Sequence, residues 1–219
     1  DDMLGMPVIA AADNVVMYHL ERTDNNELAK YASTGSARNK GKINSADYNE
    51  KNASDFLFYF TQGNEEAKYA IYSYSSGLSL TYDDKNVLFA NKASDKTVDY
   101  AINLNEEHNG LVISTDAGTW NISASNNAEL SKEDTTTWRI VRVGTMYMTM
   151  EQTEISIMKT KTATLSVETN SDKAVVWSSS NENIAKVDAN TGEVTALEEG
   201  TAIITATINN GIQRVGRSL

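Results

Sequence analysis

The side chains that most often perform acid–base, nucleophilic or metal chemistry are scarce in this chain. Among its 219 residues there are two histidines, His19 and His108, and no cysteine. The composition therefore excludes disulfides, thiolate nucleophiles and thiolate zinc sites, and it offers too few imidazoles for a multi-histidine metal site. His19 falls in a predicted strand and His108 at a predicted loop tip, so we interpret both as structural. We expect no cofactor and no bound metal.

Neighbouring carboxylates are more common, but their spacing argues against hydrolysis. A glycosidase places two carboxylates around one bond from separate chain segments. Here the acids are adjacent in predicted turns, where they are usually solvated, as Glu65–Glu66, Asp83–Asp84, Glu106–Glu107 and Glu198–Glu199. The chain also lacks a Gly-x-Ser-x-Gly elbow, a phosphate-binding glycine loop and a His-Glu-x-x-His helix. The sequence predicts a protein that is not an enzyme. A small hydrolase on a β fold is the remaining alternative, and it requires a pocket holding two such carboxylates.

The charge of the chain narrows its possible partners. The formal net charge is −11, so nucleic acid and anionic lipid surfaces would repel the protein. No apolar run approaches the roughly 18 residues needed to cross a bilayer. We therefore expect no nucleic-acid partner and no membrane insertion. Residues 1–14 are interpreted as a lead-in segment or a first edge strand.

The elements that would carry any site are predicted to be strands. Apolar residues alternate with polar ones in short runs, which is the period of half-buried strands. Examples are 15–20, 137–143 and 201–207. Clusters of Asn, Asp, Ser and Gly, such as 75–77 and 190–192, separate the runs and tolerate the positive φ of tight turns. Helical periodicity is hard to find, so the sequence predicts an all-β protein.

Three aromatic-led strands repeat through the first two-thirds of the chain. Their aromatics, Phe56, Tyr100 and Trp138, lie 44 and 38 residues apart. Each strand closes a unit that opens with a strand, a turn and a second strand, followed by a third short apolar strand. The openings fall at 18–28, 69–80 and 111–122, and the third strands at 42–44, 87–90 and 128–130. The pattern predicts three four-stranded units whose closing aromatics lie in the core.

Three such units resemble a β-trefoil. The closing strands and the opening Ser75-Ser76-Gly77-Leu78-Ser79-Leu80 resemble the repeats of ricin-type lectins over residues 14–145. The resemblance implies carbohydrate sites made of a loop acid, a stacking aromatic and amides. The family's site is not intact here, because its tryptophan remains only at Trp138 and its acid positions hold Ser79 and Asn121. Its closing glutamine is replaced by Ser54, Val98 and Thr136. A generic β-sandwich with coincidental spacing is the alternative fold.

Turn residues are therefore the better candidates for binding a glycan. An exposed ring would offer an apolar face to the C–H side of a sugar, and carboxylates and amides would bind its hydroxyls. The candidates in the second four-stranded repeat are Tyr72, Tyr74, Tyr82 and Asp83. Those in the third unit are Asp116, Trp120 and Asn121. In the first unit, Asp47 and Tyr48 lie in a long polar loop.

The last third of the chain carries a different pattern. The segments 177–181, 184–188 and 192–196 read Trp-Ser-Ser-Ser-Asn, Ile-Ala-Lys-Val-Asp and Gly-Glu-Val-Thr-Ala. At these separations they resemble a bacterial group 2 immunoglobulin-like domain over 153–211, which implies a β-sandwich. Trp177 is expected to lie between the sheets or to cap one end of them. The residues expected to face the shared core are Val176, Ile184, Val187, Val194, Ile203 and Thr205.

These patterns predict an all-β chain with a β-trefoil-like domain followed by an immunoglobulin-like β-sandwich. We expect a lead-in at 1–14, the trefoil at 15–145, an ordered junction near 144–153, and the immunoglobulin-like domain at 152–219. The tail 212–219 is expected either to form a degraded last strand or to mark the chain as a fragment of something longer, so the domain could lack its full last strand. The predicted function is a non-catalytic, extracellular carbohydrate-binding or adhesion module of a larger bacterial surface or secreted protein. Its expected partner is a glycan or a cell-surface protein. The alternative is a structural or protein-binding scaffold without glycan binding.

Overall fold

The computed structural model describes residues 6–10, 14–32, 41–90, 97–150, 152–208 and 212–218, and for the last segment the backbone alone. The described chain divides into two compact units. The first contains 6–10 and 16–144, and the second contains 14–15 and 145–218. Within the described ranges, no helix is long and apolar enough to span a membrane.

The first unit consists mainly of short strands, as the alternating sequence predicts. They are β1 (Asn14–Arg22), β2 (Leu28–Ala32), β3 (Lys42–Ala46), β4 (Phe58–Gln62), β5 (Tyr69–Ser73), β6 (Leu80–Tyr82), β7 (Leu88–Ala90), β8 (Ala101–Leu104), β9 (Leu111–Thr115), β10 (Gly118–Ile122), β11 (Ala128–Ser131) and β12 (Trp138–Thr149). A 3₁₀ helix, Glu50–Phe56, precedes β4. The last strand, β12, continues beyond Gly144 into the second unit.

Six strands of the first unit pair in a closed circuit. The order is β1, β4, β5, β8, β9, β12 and back to β1. Within the first unit, equivalent residue pairs join the first and last strand of each four-stranded repeat. They are Tyr18 with Phe58, Tyr69 with Tyr100, and Leu111 with Trp138. A closed circuit leaves no unpaired sheet edge among these six strands.

The other six strands form three antiparallel hairpins. They are β2–β3, β6–β7 and β10–β11. The third strands of the units also pair with one another, at Lys42 with Phe89, Val87 with Glu129, and Asn44 with Asn127. The same set of pairings thus occurs three times in the unit. Asn86 and Asn126 take left-handed conformations, with φ of 59° and 64°, in the equivalent β6–β7 and β10–β11 turns.

The core of the first unit is rich in aromatic rings. Phe56, Tyr100 and Trp138 are fully buried, which confirms the prediction that the closing aromatics lie in the core. Trp120 packs edge-to-face on both Tyr100 and Trp138, with ring centroids 5.7 and 6.1 Å apart. Such contacts add to the large apolar area that each ring buries.

The first closing segment differs from the sequence expectation. Phe56 ends the 3₁₀ helix, and strand β4 begins only at Phe58. The Asn49 side chain accepts a hydrogen bond from Lys51 N at 3.0 Å, which starts the helical turn. Among the residues of the lead-in, Ile9 forms a parallel bridge with Phe60. The lead-in residues 1–5 and 11–13 lie outside the described residues.

The second unit contains two sheets. Its strands are β13 (Glu154–Ile155), β14 (Thr162–Thr164), β15 (Glu168–Thr169), β16 (Val176–Ser179), β17 (Ala185–Val187), β18 (Glu193–Ala196), β19 (Ala202–Ile208) and β20 (Ile212–Ser218). One sheet has the order β13-β20-β19-β16 and the other β14-β18-β17, while β15 pairs with the end of β12. Trp177 is buried, and it lies against Gly192, where an added Cβ would be 2.8 Å from the indole Cε2.

Two strands of the second unit present the opposite face from the one expected. Val176 and Ile203 were expected in the core, but they are 53% and 38% exposed. Their neighbours Trp177 and Ile204 point inward instead. Thr205, the next expected core residue on β19, is only half-buried. A shift of one residue reverses the face of a whole strand, and the large indole decides which face is inward.

The end of the second unit resolves the question of the final strand. Backbone pairs join β19 and β20 from Ala202–Ser218 to Ile208–Ile212. Strand β20 also pairs in parallel with β13. The final strand is therefore formed rather than missing. Residues 145–149, part of the junction expected near 144–153, belong to β12. Met148 and Thr149 of this strand pair with Thr169 and Glu168 of β15.

Candidate ligand-binding site

Two of the aromatic candidates for sugar stacking lie in the core. Trp120 is 0% exposed and Tyr74 is 5% exposed. Neither ring has a face at the surface on which a sugar could stack. The burial of both rings is at odds with their expected role as stacking platforms, and Trp120 is buried because it packs on the closing aromatics Tyr100 and Trp138.

The other two candidate tyrosines are half-buried on adjacent strands. Tyr72 stacks on Tyr59 with centroids 5.1 Å apart and an interplanar angle of 10°. Burial raises the pKa of the Tyr72 hydroxyl, and a hydrogen bond with Thr61 opposes that shift. Tyr82 packs against the hydrophobic core. One face of the Tyr72 ring is thus already covered by protein.

The candidate carboxylates occupy separate turns. Asp83 accepts hydrogen bonds from Lys85 N at 3.0 Å and Val87 N at 3.2 Å, so it caps the turn after β6. Asp116 is exposed in the turn between β9 and β10. It contributes, after the larger effect of Glu65, to raising the pKa of Lys68. Within the described part of the chain, no three His, Asp or Glu side chains are grouped to hold a metal ion.

Asn121 is the candidate that lines a cavity. The cavity, here named the Asn121 pocket, has a volume of about 460 Å³. Its lining combines one guanidinium, three carboxylates, one amide and several hydroxyls. The lining residues are Arg22, Asp24, Asn121, Ile122, Ser123, Ala124, Glu129, Asp134, Thr135, Thr136 and Thr137. No aromatic ring lines it. The remaining described candidates, including the exposed Asp47 and Tyr48, lie outside this lining.

Thr136 holds the Asn121 side of the pocket in place. Its hydroxyl donates to Asn121 Oδ1 at 3.3 Å and accepts from Ile122 N at 2.9 Å. Its own backbone N donates to Trp120 O at 3.1 Å. The amide oxygen of Asn121 thus accepts one hydrogen bond, and within the described residues its Nδ2 makes no hydrogen bond, so this donor remains available to a ligand or solvent.

Arg22 organises another part of the lining. Its guanidinium donates to both carboxylate oxygens of Asp24, at 2.9 and 2.7 Å. It also donates to Glu27 at 3.4 Å and to Ser45 Oγ at 3.1 Å. The hydrogen bond from Arg22 lowers the pKa of Asp24, which favours the ionised carboxylate. The chemistry of the pocket suits hydrogen bonding to a polyhydroxylated ligand.

Comparison with known proteins addresses the second unit. Residues 145–216 match the family model of the bacterial Ig-like domain (group 2). This segment is a bacterial Ig-like domain. The match begins in β12, so residues 145–149 belong to the domain. No curated protein sequence matches the chain.

A solved structure of an intimin fragment is also similar to the chain. It is the C-terminal 282-residue fragment of intimin in complex with the intimin-binding domain of the translocated intimin receptor, Tir. The identity is 15% and the TM-score 0.31, over 98% of this chain and 54% of that one. The chain thus spans about half the length of that fragment. A similarity at this level carries no inference about shared structure or binding.

The bacterial Ig-like domain has a cavity of a different kind. It measures about 380 Å³, and its lining combines apolar side chains with two glutamates and a lysine. Its lining residues are Ile157, Met158, Lys159, Ile184, Ala185, Ala196, Glu198, Glu199 and Gly200. Met158 is 75% exposed. Lys159 pairs with Glu198 at 2.8 Å, so this cation is neutralised.

Sequence reasoning missed most of the Asn121 pocket. Arg22 and Asp24 come from the first four-stranded repeat of the first unit, whereas Glu129 and Asp134 come from the third repeat. The one local signal is the run of polar residues 131–137 before the buried Trp138, which marks a polar loop against the core. Their association depends on the closure of the circuit, which brings Thr23 Oγ1 to Thr137 O at 3.4 Å across 114 positions.

Proposed function

We propose that this chain is a non-catalytic, extracellular adhesion module of a bacterial surface or secreted protein. In this proposal the first unit binds carbohydrate, and the bacterial Ig-like domain acts as a spacer or docking unit. Domains of that family are typical of bacterial surface adhesins and of multidomain secreted enzymes, which supports the location. The chain would then work as part of a larger protein.

The proposal includes a fold and a division into domains. Residues 15–145 are proposed to form a β-trefoil of the ricin-type lectin class, followed by the Ig-like domain. Support comes from the closed six-strand circuit and from the three equivalent hairpins, since these pairings occur once in each four-stranded repeat of the first unit. Fold by itself does not establish function, so the carbohydrate proposal rests on the pocket.

The observation that carries carbohydrate binding is the polar lining of the Asn121 pocket. It offers an amide donor, threonine hydroxyls and carboxylate acceptors within one cavity of about 460 Å³. Sugar hydroxyls act as both donors and acceptors, so they can pair with each of these groups. Because no aromatic platform lines the pocket, we expect weak, hydrogen-bonded recognition with millimolar dissociation constants.

Titration calorimetry with mono- and oligosaccharides tests the proposal, after a glycan array has selected the sugars. Asn121→Ala removes the free amide donor and is expected to weaken binding about tenfold. Asp116→Ala is the matched control, because Asp116 is exposed and lies outside the pocket. Circular dichroism verifies that both variants fold. Equal binding by the two variants, or no binding of any sugar by the wild type, contradicts the proposal.

A second candidate function is a protein-binding scaffold. The burial of Trp120 and Tyr74 favours it, because the lectin-like unit then lacks these two platforms. The aliphatic cavity of the Ig-like domain offers a surface suited to a protein side chain. Flat sugar titrations, together with binding to a defined cell-surface protein that Met158→Ala weakens, would favour the scaffold.

A further inference from the structure

We infer that the Asn121 pocket selects sugars that carry a free amine over neutral sugars, and that it rejects acidic sugars. This inference rests on the proposed carbohydrate function and specifies the class of ligand. It follows from which charged groups in the cavity are already paired and which are not.

Arg22, the one cation among the described residues of the lining, is already engaged. Arg22 has five N–H donors, and within the described residues its guanidinium donates twice to Asp24, once to Glu27 and once to Ser45. Its side chain is only 13% exposed, and it forms ion pairs with Asp24 and Glu27. An acidic sugar entering the cavity would have to break this network to reach the guanidinium.

The unpaired charges of the lining are carboxylates. Glu129 and Asp134 have no ion-pair partner among the described residues, and both line the cavity. One cation against three carboxylates leaves a net charge of −2 on the lining residues. The negative charge of the whole chain, −11, acts in the same direction. Unlike charges attract and like charges repel most strongly where water is partly excluded.

The two carboxylates lie on different elements around Asn121. Glu129 is half-buried on β11, where its backbone pairs with Val87. Asp134 is exposed in the loop that leads to β12, and its backbone O accepts from Thr119 Oγ1 at 3.1 Å. A bound sugar ring would thus share the cavity with two carboxylates that come from different elements. A protonated amine on the ring would gain a charge-assisted hydrogen bond there.

The test compares three oligosaccharides of equal length: one of glucosamine, one of N-acetylglucosamine and one of galacturonic acid. At pH 6 and low salt, we expect the amino sugar to bind about fivefold tighter than the neutral one, and the acidic one about tenfold weaker. At about 0.5 M NaCl these differences shrink, because the Debye length falls well below 10 Å.

A double variant assigns the selectivity to the two carboxylates. Glu129→Gln with Asp134→Asn is expected to remove the preference for the amino sugar while it retains binding of the neutral one. Glu66→Gln with Glu182→Gln makes the same change in net charge at exposed positions outside the cavity, and it should keep the preference. Thermal unfolding verifies that both double variants fold.

The outcomes separate the two ideas. Binding of the neutral sugar with equal affinity for the amino and acidic sugars overturns this inference alone and leaves the proposed function standing. Absence of binding by all three sugars overturns this inference, and if no sugar of the glycan array binds either, the proposed function fails with it. A preference that both double variants lose equally overturns the assignment to Glu129 and Asp134.

Discussion

The two units of this protein build their cores from different residues. The first unit packs many large rings together, including Trp120, Trp138 and Tyr100. The Ig-like domain packs a single tryptophan, Trp177, among small and aliphatic side chains such as Ala206 and Val194. In the first unit buried rings such as Trp120 pack against other rings. In the Ig-like domain the packing of the core depends on whether its neighbours leave enough space for the one indole.

The cavities of the two units differ in the same way. The Asn121 pocket is lined mainly by polar groups that the hairpin turns and the polar loop before Trp138 supply. The cavity of the Ig-like domain combines apolar side chains with two glutamates and a lysine, and the exposed Met158 lines it. The first is suited to a hydroxyl-rich ligand and the second to an apolar side chain. Substitutions in one core or cavity can therefore be compared with substitutions in the other.

The largest expected effect is the loss of a central ring from the first unit. Trp120→Ala should lower the free energy of unfolding of that unit by about 3–5 kcal/mol, because it removes a fully buried indole between Tyr100 and Trp138. Urea unfolding followed by near-ultraviolet circular dichroism measures it. Tyr48→Ala, at a ring 49% exposed, is the control, with an expected loss of about 1 kcal/mol or less. Similar losses in both variants would contradict the buried role of Trp120.

Next is a small residue that makes room for the one large ring of the Ig-like domain. Gly192 has a φ of 76°, and a Cβ there would lie 2.7 Å from the Leu165 carbonyl oxygen and 2.8 Å from Trp177. Gly192→Ala should destabilise the domain by about 2–4 kcal/mol. Tryptophan fluorescence during denaturation reports this change. Gly144→Ala is the matched control, since nothing lies within 4 Å of its added Cβ; a similar loss there would refute the explanation.

A smaller effect is expected from the buried hydroxyl that supports the pocket. Thr136→Val leaves Ile122 N without its acceptor and frees the Asn121 amide, at a cost of about 1–3 kcal/mol. The variant should also weaken sugar binding. Thr135→Val, at an exposed neighbour, is expected to change stability by about 0.5 kcal/mol or less. Thermal unfolding compares the two, and equal shifts would show that Thr136 has no special role.

The smallest effect concerns His19. Burial lowers the pKa of this imidazole below its usual value, and the charge of Glu21 partly opposes the shift. The folded state therefore favours the neutral ring, while the unfolded chain takes up a proton near pH 6.5. Stability of the first unit should fall slightly as the pH drops from 7.5 to 5.5. His19→Gln should remove part of this slope, measured by thermal unfolding across that pH range. A slope that this change leaves intact would rule out His19 as its source.

Local signals predicted much of the strand arrangement. The three third strands, expected at 42–44, 87–90 and 128–130, correspond to β3, β7 and β11. The match to the bacterial Ig-like domain followed from short motifs around Trp177. Where both faces of a strand carry apolar residues, the alternation of apolar and polar residues does not tell which face points into the core. Val176 and Trp177 are both apolar, and only the packing of the indole selects the inward one.

The candidate site was predicted only through Asn121. Ring size and turn position suggested Trp120 and Tyr74 as platforms, but exposure depends on what packs opposite a side chain, and sequence position does not record that. The partners of Asn121 in the pocket, Arg22 and Asp24, lie about a hundred positions earlier in the chain. No local pattern links such distant residues.

The sequence by itself determined the elements: where most strands run, where turns interrupt them, and which C-terminal segment is a bacterial Ig-like domain. These follow from period, turn chemistry and short motifs, which act between near neighbours. Only the tertiary structure decided which rings are covered and which polar groups share a cavity. Those outcomes arise because the closed circuit of strands brings distant turns together, and burial is a property of the contacts made rather than of the residue type.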